Sequence, residues 1–464
     1  MSKAPQKAGA RRKQVSNQRP SSTPKRSAQR APAAAGTRAK AKSSSRPKTN
    51  TGTKPKTKQR ASARRRRSGC GQFLSDFLVA ALILGILAYF FLPMDRYIAR
   101  ADARRHHYVS REYNDTSQRY YYKALSKNGQ LAYRIIVSAL PEFPEQICVP
   151  KIDDEELNEV FKAVSYDNPE LFMLGTECTL TRVGKTYWFV PQYTMKKETY
   201  DKQISKAEDV ATEILSHVPQ GSSEYETELF LHDALGVMSD YSSKDGDVYT
   251  PYGMLVEREA NCEGYSRSFQ WLLQRAGIEN RVITGKATSA DGTENHMWNV
   301  VKLDGQEYTV DVTWDDYRVT GAHEDLETSM MEPSHIYFNR SAEAMSGNHK
   351  PEDESLWEKC TDDSQNYFLV NNLQITNKTS ETELRKSIID GTVNARVAGN
   401  SSLEIYFTSK DAYLKADTML IGNSGVYDLL EAANRSLPTA RRVNSSAIQY
   451  SMDDDLLTIR LFFL

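Results

Sequence analysis

The stretch HMWNVVKLDGQEYTVDVTW, residues 296–314, decides the fold of this chain. Apolar and polar residues alternate in HMWNVVKL (296–303) and in QEYTVDVTW (306–314), which is typical of β-strands. Asp304-Gly305 lies between them, and an Asp-Gly pair in this position is a strong signal for a two-residue hairpin turn. RVITGKA (281–287) alternates in the same way just upstream. The sequence therefore predicts an antiparallel meander of three strands.

The hairpin turn also fixes which side chains share a face. In a two-residue hairpin Leu303 pairs with Gln306, and continuing this register places His296 and Asp311 on one face as diagonal neighbours. Diagonal neighbours have Cα atoms about 7–8 Å apart. An imidazole can reach a carboxylate over that distance, so we predict a contact between His296 and Asp311.

A single cysteine precedes the meander at the start of an amphipathic run. Its sequence is NCEGYSRSFQWLLQRAGI, residues 261–278, with apolar residues at the spacing of one helix face. Gly277 follows the last periodic residue and suits a C-terminal cap. Cys262 is thus predicted at a helix N-terminus, where the helix dipole and unpaired N–H groups favour a thiolate. It becomes a candidate nucleophile if a base can reach it.

Taken one at a time, each of these three residues could have a purely structural role. Cys262 alone could be a buried structural thiol, His296 a hydrogen-bonded core histidine, and Asp311 a solvated strand residue. Their order along the chain favours a joint function, in which Asp311 orients His296 and His296 activates the sulfur. We therefore predict a catalytic triad for acyl transfer through a thioester.

The motifs that carry these residues resemble the transglutaminase-like superfamily, specifically its bacterial surface branch. The matching elements are Cys-x-Gly-Tyr, His-x-Trp-Asn, Asp-x-Thr-Trp-Asp and HIYFN, and the resemblance is specific over roughly residues 225–340. It implies a papain-like α+β core, with a cysteine helix packed on an antiparallel sheet. It also implies Cys262 as nucleophile, His296 as base and Asp311 as orienter, with Asp315 in a structural role.

Four further residues are candidates for substrate binding: Tyr252, Glu263, Tyr265 and Trp298. Glu263 stands where many bacterial members carry Gln, and its charge beside a thiolate is unfavourable unless it points away. The backbone N–H of Cys262 is a candidate first oxyanion donor. Trp298 is a candidate wall for a site that excludes water.

The N-terminal region differs sharply in charge from the rest. Residues 1–67 contain 22 Lys and Arg and no acidic residue, whereas residues 94–464 contain 59 acidic and 38 basic residues. We predict a disordered basic cytoplasmic tail over residues 1–72 and a transmembrane signal anchor over 73–93, with residues 94–464 outside the cell. A cleaved signal peptide, with ARADA at 99–103 as its processing site, is the alternative.

Cysteine and histidine spacing argues against a metal or other cofactor. The five cysteines and eight histidines match no metal-site pattern, so none is predicted. Cys148 and Cys178 could form a disulfide, which would leave Cys262 and Cys360 as thiols. A charge run without interleaved aromatic residues is weak evidence for nucleic-acid binding, so the basic tail is expected to meet membrane lipids.

The exported part divides by pattern into three regions. They are a mixed helix and strand lead-in (94–202), a transglutaminase-like catalytic domain (203–355) and a small C-terminal α+β domain (356–464). Further predicted elements are helices over most of 108–140 with a break at Asn128-Gly129, over 153–165, 203–217 and 224–239, and a strand over 186–193 broken by Pro191.

Two functions remain open from the sequence. The first is a cell-surface cysteine enzyme acting on amide bonds of proteins or cell-wall peptides, as a peptidase, amidase or transglutaminase. The second is a catalytically silent surface module that binds peptides or cell-wall polymer through the same cleft. The complete triad favours the first function, and hydrolysis is expected over amine transfer because it needs only an open cleft.

Overall fold

The computed structural model describes residues 70–108, 118–289, 292–316 and 332–463. Its helices are α1 (Cys70–Phe91), α2 (Met94–Arg105), α3 (Tyr120–Ala124), α4 (Lys127–Ala139), α5 (Asp154–Asp167), α6 (Lys197–Ser216), α7 (Glu224–Met238), α8 (Cys262–Ala276), α9 (Val312–Asp315), α10 (Ala342–Met345), α11 (Tyr367–Val370), α12 (Glu381–Ala398), α13 (Lys410–Asp417) and α14 (Gly425–Ser436). Its strands are β1 (Ile147–Val149), β2 (Leu174–Val183), β3 (Thr186–Tyr193), β4 (Asp240–Tyr241), β5 (Glu259–Ala260), β6 (Asn280–Ser289), β7 (Gly292–Leu303), β8 (Gln306–Val310), β9 (His349–Pro351), β10 (Gln374–Ile375), β11 (Ser402–Phe407), β12 (Gln449–Asp453) and β13 (Thr458–Phe462).

The predicted meander is the centre of a four-stranded antiparallel sheet in the order β8-β7-β6-β9. Leu303 pairs with Gln306, so the predicted register is observed. The second strand is shorter than predicted, because β8 ends at Val310 and Asp311 caps α9 instead. An Asp carboxylate that accepts backbone N–H groups begins a helix more readily than it continues a strand.

Helix α8 packs between α7 and this sheet. Its apolar face is fully buried through Tyr265, Phe269, Leu272 and Leu273, as the spacing predicts. The Ser266 hydroxyl donates to the Met297 carbonyl on β7 at 2.8 Å, and the Asn299 side chain donates back to the Ser266 carbonyl at 3.0 Å. These two bonds hold the start of α8 against the strand that carries His296.

The lead-in contains a separate three-stranded sheet in the order β1-β3-β2. Two local predictions here are wrong. The helix break falls at Ser126, which caps α4, while Asn128 and Gly129 lie in the first turn of α4. Pro191 does not interrupt β3, because it lies beyond the residues that pair with β1 and therefore gives up no hydrogen bond on that side.

The C-terminal residues form a mixed four-stranded sheet in the order β10-β11-β13-β12. Helices α12 and α13 contact β11, and α14 packs against α12. The apolar stretch NYFLV, residues 366–370, contains the short helix α11. Residues 76–464 constitute one unit by their contacts, and the predicted domain boundaries at 202/203 and 355/356 remain predictions.

The predicted membrane anchor overlaps α1. Within the part of the chain that the structure describes, no helix is both long enough and apolar enough to cross a membrane. Most of the predicted basic tail, residues 1–69, lies outside the described residues. The anchor and the orientation of the chain therefore stay predictions.

Candidate active site

Cys262 is the first residue of α8 and is partly exposed. The Asn261 side chain caps the helix, since its oxygen accepts from the N–H groups of Glu263 at 3.1 Å and Gly264 at 3.2 Å. A Cβ atom at Gly264 would lie 2.3 Å from the carbonyl oxygen of Val248. The glycine of the Cys-x-Gly motif therefore lets the helix start approach a neighbouring backbone closely.

His296 and Asp311 are brought together as the hairpin register predicts. The Nε2 atom of His296 lies 2.7 Å from Oδ2 of Asp311, and both side chains are buried. The second oxygen, Oδ1, accepts from the N–H groups of Thr313 at 3.0 Å and Trp314 at 3.3 Å. Asp311 is thereby fixed by the turn that ends β8, and it fixes the imidazole in turn.

The electrostatics of the pair favour a charged imidazole. Burial opposes that charge, but the Asp311 carboxylate and the Cys262 side chain outweigh it and raise the pKa of His296 to about 10. Burial likewise opposes the Asp311 charge, yet His296 and its hydrogen bonds hold the pKa of Asp311 below its usual range. Because Nε2 faces Asp311, the other ring nitrogen is the one left to interact with Cys262. An imidazolium beside a sulfur favours its nucleophilic, charged form.

His349 is a fourth member of this group that the sequence did not indicate. Its Nε2 atom lies 3.0 Å from Oδ2 of Asp311, and the side chain is fully buried. Burial lowers the pKa of His349, so the neutral ring donates to the carboxylate that also binds His296. The residue arrives on β9, which pairs with β6 across about sixty residues of chain, and no local pattern predicts such a pairing.

Tyr241 is a second residue that sequence reasoning missed. It lies on β4, which pairs in parallel with β5 just before Cys262, and its ring is partly exposed. Burial and the nearby Cys262 raise the pKa of Tyr241, so its hydroxyl keeps its proton and can donate a hydrogen bond. A tyrosine on a two-residue strand carries no sequence signal of this role.

The four predicted substrate-binding residues differ in how exposed they are. Tyr265 and Trp298 are fully buried, and the Tyr265 hydroxyl lies within hydrogen-bond distance of two acceptors, the Ser239 carbonyl at 2.9 Å and Oδ2 of Asp316 at 2.5 Å. Both side chains therefore support the core here, which corrects their proposed contact with substrate. Tyr252 is nearly buried, whereas Glu263 is about one-third exposed and pairs with Arg267 at 2.8 Å.

The remaining described cysteines do not resemble Cys262. Cys148 pairs with Trp188 and Cys178 with Pro191, so the two cysteines flank opposite edges of β3. Two strand spacings of about 4.8 Å separate them, more than a disulfide can bridge, and both are thiols in the structure. The pairing that the sequence left open is therefore not formed in the structure. Cys360 is buried, and burial raises its pKa to about 12.

A comparison with known proteins finds similarity to the same family that the motifs indicated. Residues 193–312 match the model of the transglutaminase-like superfamily, a range that includes Cys262, His296 and Asp311. Kyphoscoliosis peptidase of Homo sapiens is 30% identical over 79 residues, which cover 15% of this chain and 12% of that protein. The Mus musculus protein of the same name matches over the same shares. The chain thus spans only a small part of the length of these curated relatives.

Solved structures give weaker likenesses. The crystal structure of a TGase is 16% identical, with 37% of this chain and 52% of that chain covered and a TM-score of 0.22. The periplasmic domain of TgpA from Pseudomonas aeruginosa is 14% identical, with 32% and 66% covered and a TM-score of 0.19. At these TM-scores the assignment rests on the family model and the motif residues alone. Residues 193–312 of this chain are thus similar to the transglutaminase-like superfamily.

Proposed function

We propose that this protein is a cysteine enzyme that cleaves amide bonds of proteins or cell-wall peptides through a thioester at Cys262. The observation that carries the proposal is the buried His296 imidazole, which contacts Asp311 through Nε2 and interacts with Cys262 at the start of α8. This arrangement supplies a nucleophile, a base and an orienting carboxylate in the order that acyl transfer needs.

The chemistry follows from these positions. The Cys262 sulfur attacks the amide carbon, and the resulting oxyanion is stabilised by the backbone N–H of Cys262 and by the Tyr241 hydroxyl. The amine leaves with the proton that His296 holds, and the acyl group remains on sulfur as a thioester. His296 then takes a proton from water, which attacks the thioester carbon and releases the acid.

Hydrolysis is favoured over transfer to an amine. Transfer needs an acceptor channel that excludes water. Three tryptophans lie near the triad in sequence. Trp271 and Trp298 are buried in the core, while Trp314 is partly exposed with its ring 5.7 Å from that of His296. Only one of these three tryptophans is placed to line a channel, which supports an open cleft.

The reaction is tested by giving the protein amide- or glutamine-containing wall peptides with an excess of a labelled primary amine. Release of acid without amine incorporation supports hydrolysis, whereas stoichiometric incorporation identifies a transglutaminase. Cys262→Ala serves as the control for both products. A wild-type protein that binds the peptides but forms neither product would support the silent binding module.

We also propose a location at the cell surface of a bacterium. The basic residues 1–67, the apolar stretch 73–93 and the acidic remainder support a single anchor with residues 94–464 outside. Protease treatment of intact cells should then digest the acidic part and spare the basic tail. Digestion of the tail alone would reverse the orientation.

A further inference from the structure

A second group of imidazoles and carboxylates lies away from Cys262. We call His232, Asp233 and His335 the distal cluster. His232 and Asp233 lie on α7, and His335 follows Glu332 in the segment before α10. Both imidazoles are buried, and the proposed amidase chemistry uses none of the three residues.

The ligand atoms of the distal cluster converge. Oδ1 of Asp233 lies 2.9 Å from Nδ1 of His232 and 3.1 Å from Nε2 of His335. One ligand atom from each residue lies within 4.8 Å of the other two. Four-coordinate zinc at about 2.0–2.1 Å holds neighbouring ligand atoms roughly 3.3 Å apart. The two distances from Oδ1 of Asp233 to the imidazole nitrogens therefore need to change by only a few tenths of an ångström.

The far nitrogen of each imidazole faces a further carboxylate. Nε2 of His232 lies 3.2 Å from Oδ2 of Asp315, and Nδ1 of His335 lies 3.5 Å from Oε2 of Glu404. Histidines that bind metals almost always direct the other ring nitrogen to a carboxylate, a carbonyl or water, which fixes the tautomer. Asp315 is itself held in place, since it accepts the Tyr337 N–H at 3.0 Å.

The charge of the surroundings suits a divalent cation. Three carboxylates contact the two imidazoles: Asp233, Asp315 and Glu404. Arg460 neutralises one of them, since its Nη2 lies 3.0 Å from Oε1 of Glu404. With neutral imidazoles, two negative charges remain in a largely buried region. One divalent cation balances them, and so would two protons on the rings.

A cavity gives access to the distal cluster. It has a volume of about 230 Å³ and is lined by Asp233, His335 and Glu404, with Phe230 and Tyr367 among the apolar walls. The Asp233 side chain is 38% exposed while the imidazoles are not. The carboxylate therefore connects the buried nitrogens to space that water or a ligand can enter.

We propose that His232, Asp233 and His335 bind a divalent transition-metal ion, with zinc as the best match, and leave a coordination position open toward this cavity. Two imidazole nitrogens and one carboxylate oxygen are ligands that zinc and its neighbours accept, and such sites complete their shell with water. Binding replaces protons on Nδ1 of His232 and Nε2 of His335, so loading the site releases protons. This inference goes beyond the proposed amide chemistry and does not depend on it.

The test uses the full-length chain after treatment with a chelator. Co²⁺ is titrated as a spectroscopic probe, and zinc retained through gel filtration is measured by elemental analysis. We expect one equivalent per chain, visible Co²⁺ absorption and proton release. Asp233→Asn and His335→Gln should each weaken Co²⁺ binding more than about 100-fold, and Asp315→Asn about 10–100-fold, as outer-shell changes do.

The matched control variants test whether metal binds at the histidine pair of the candidate active site. His296, Asp311 and His349 also place three ligand atoms within 4.8 Å of one another, so His349→Gln and Cys262→Ala test whether metal binds there instead. Both should leave Co²⁺ affinity unchanged. Loss of binding in either control, or no retained equivalent in the wild type, overturns the proposal. Circular dichroism checks each variant, and if Asp233→Asn does not fold, His335→Gln and wild-type proton release decide.

Discussion

Among the residues that the structure describes, two buried histidine pairs are each bridged by one aspartate, and they differ in which groups face their outer ring nitrogens. In the first pair, Asp311 bridges His296 and His349. In the second, Asp233 bridges His232 and His335. The first pair directs one outer nitrogen toward Cys262 and the other toward the Asn348 amide.

The outer nitrogens of the distal cluster meet carboxylates instead, Asp315 and Glu404. A bridging aspartate with two imidazoles is therefore not by itself an active site. A thiol at the outer nitrogen makes the imidazole a proton carrier for a nucleophile, whereas a carboxylate there locks the imidazole and increases its affinity for a cation. The outer partner decides the chemistry, and the following predictions examine that difference.

Removing the thiol should have the largest effect. Cys262→Ala leaves His296 without a nucleophile to activate, so we expect kcat/KM on an amide substrate to fall by roughly 10⁴-fold or more, as removal of a triad nucleophile does elsewhere. The measurement is steady-state hydrolysis with unfolding curves recorded in parallel. Cys360→Ala is the matched control, because that thiol is buried and its pKa is raised to about 12. Full turnover by Cys262→Ala would reject the nucleophile assignment.

Neutralising the bridge of the first pair should have the next largest effect. Asp311→Asn keeps the size of the side chain but presents an N–H or a neutral oxygen to Nε2 of His296, which disfavours the productive tautomer. A decrease in kcat of roughly 10⁴-fold is expected, with some activity remaining because the base is still present. A loss below about tenfold would show that Asp311 supports structure only.

Of the first pair, the contact between His296 and Asp311 could be predicted from the sequence, whereas the position of His349 could not. Asp304-Gly305 sets a local register, and that register alone brings His296 near Asp311. His349 and Tyr241 arrive on strands whose partners are distant in sequence or only two residues long, so no periodicity identifies them. Burial could not be predicted from the sequence either. The spacing suggests that Trp298 lines the site, yet its ring lies in the core with its centroid 6.0 Å from that of Trp357.

Altering a carboxylate that faces the distal cluster should lower the stability of the protein. Glu404→Gln removes the charge that Arg460 and His335 both face in a buried position. Breaking one member of a buried charge network costs about 3–5 kcal/mol, so we expect a clear decrease in the free energy of unfolding in urea. Glu381→Gln, which disrupts an exposed pair with Arg385, should change it by no more than about 0.5 kcal/mol. Equal effects of the two variants would contradict a coupled network.

The first pair should also give stability a specific pH dependence. The pKa of His296 is about 10 in the folded protein and about 6.5 when unfolded, so the folded state binds the proton more tightly. Its contribution is fully present below about pH 6.5 and is lost as the pH rises toward about 10, by up to about 1.4 kcal/mol per unit. The stability difference between wild type and His296→Gln, measured in urea, should therefore shrink over that range. A constant difference would show that Asp311 and Cys262 do not hold the proton on His296.

The smallest effect should come from the carboxylate next to the nucleophile. Glu263 follows Cys262, but its charge is paired with Arg267 at 2.8 Å, one helical turn away, and Arg267 also donates to the Ser165 carbonyl at 2.8 Å. Such a pair is worth about 0.2–0.5 kcal/mol, so Glu263→Gln should change the rate of Cys262 alkylation by about threefold or less. Arg267→Gln should slow alkylation more, because it leaves the Glu263 charge uncompensated beside the sulfur, and the double variant should recover the rate. If Glu263→Gln alone accelerated alkylation many-fold, Arg267 would not be screening that charge, and the carboxylate would act directly on the thiolate.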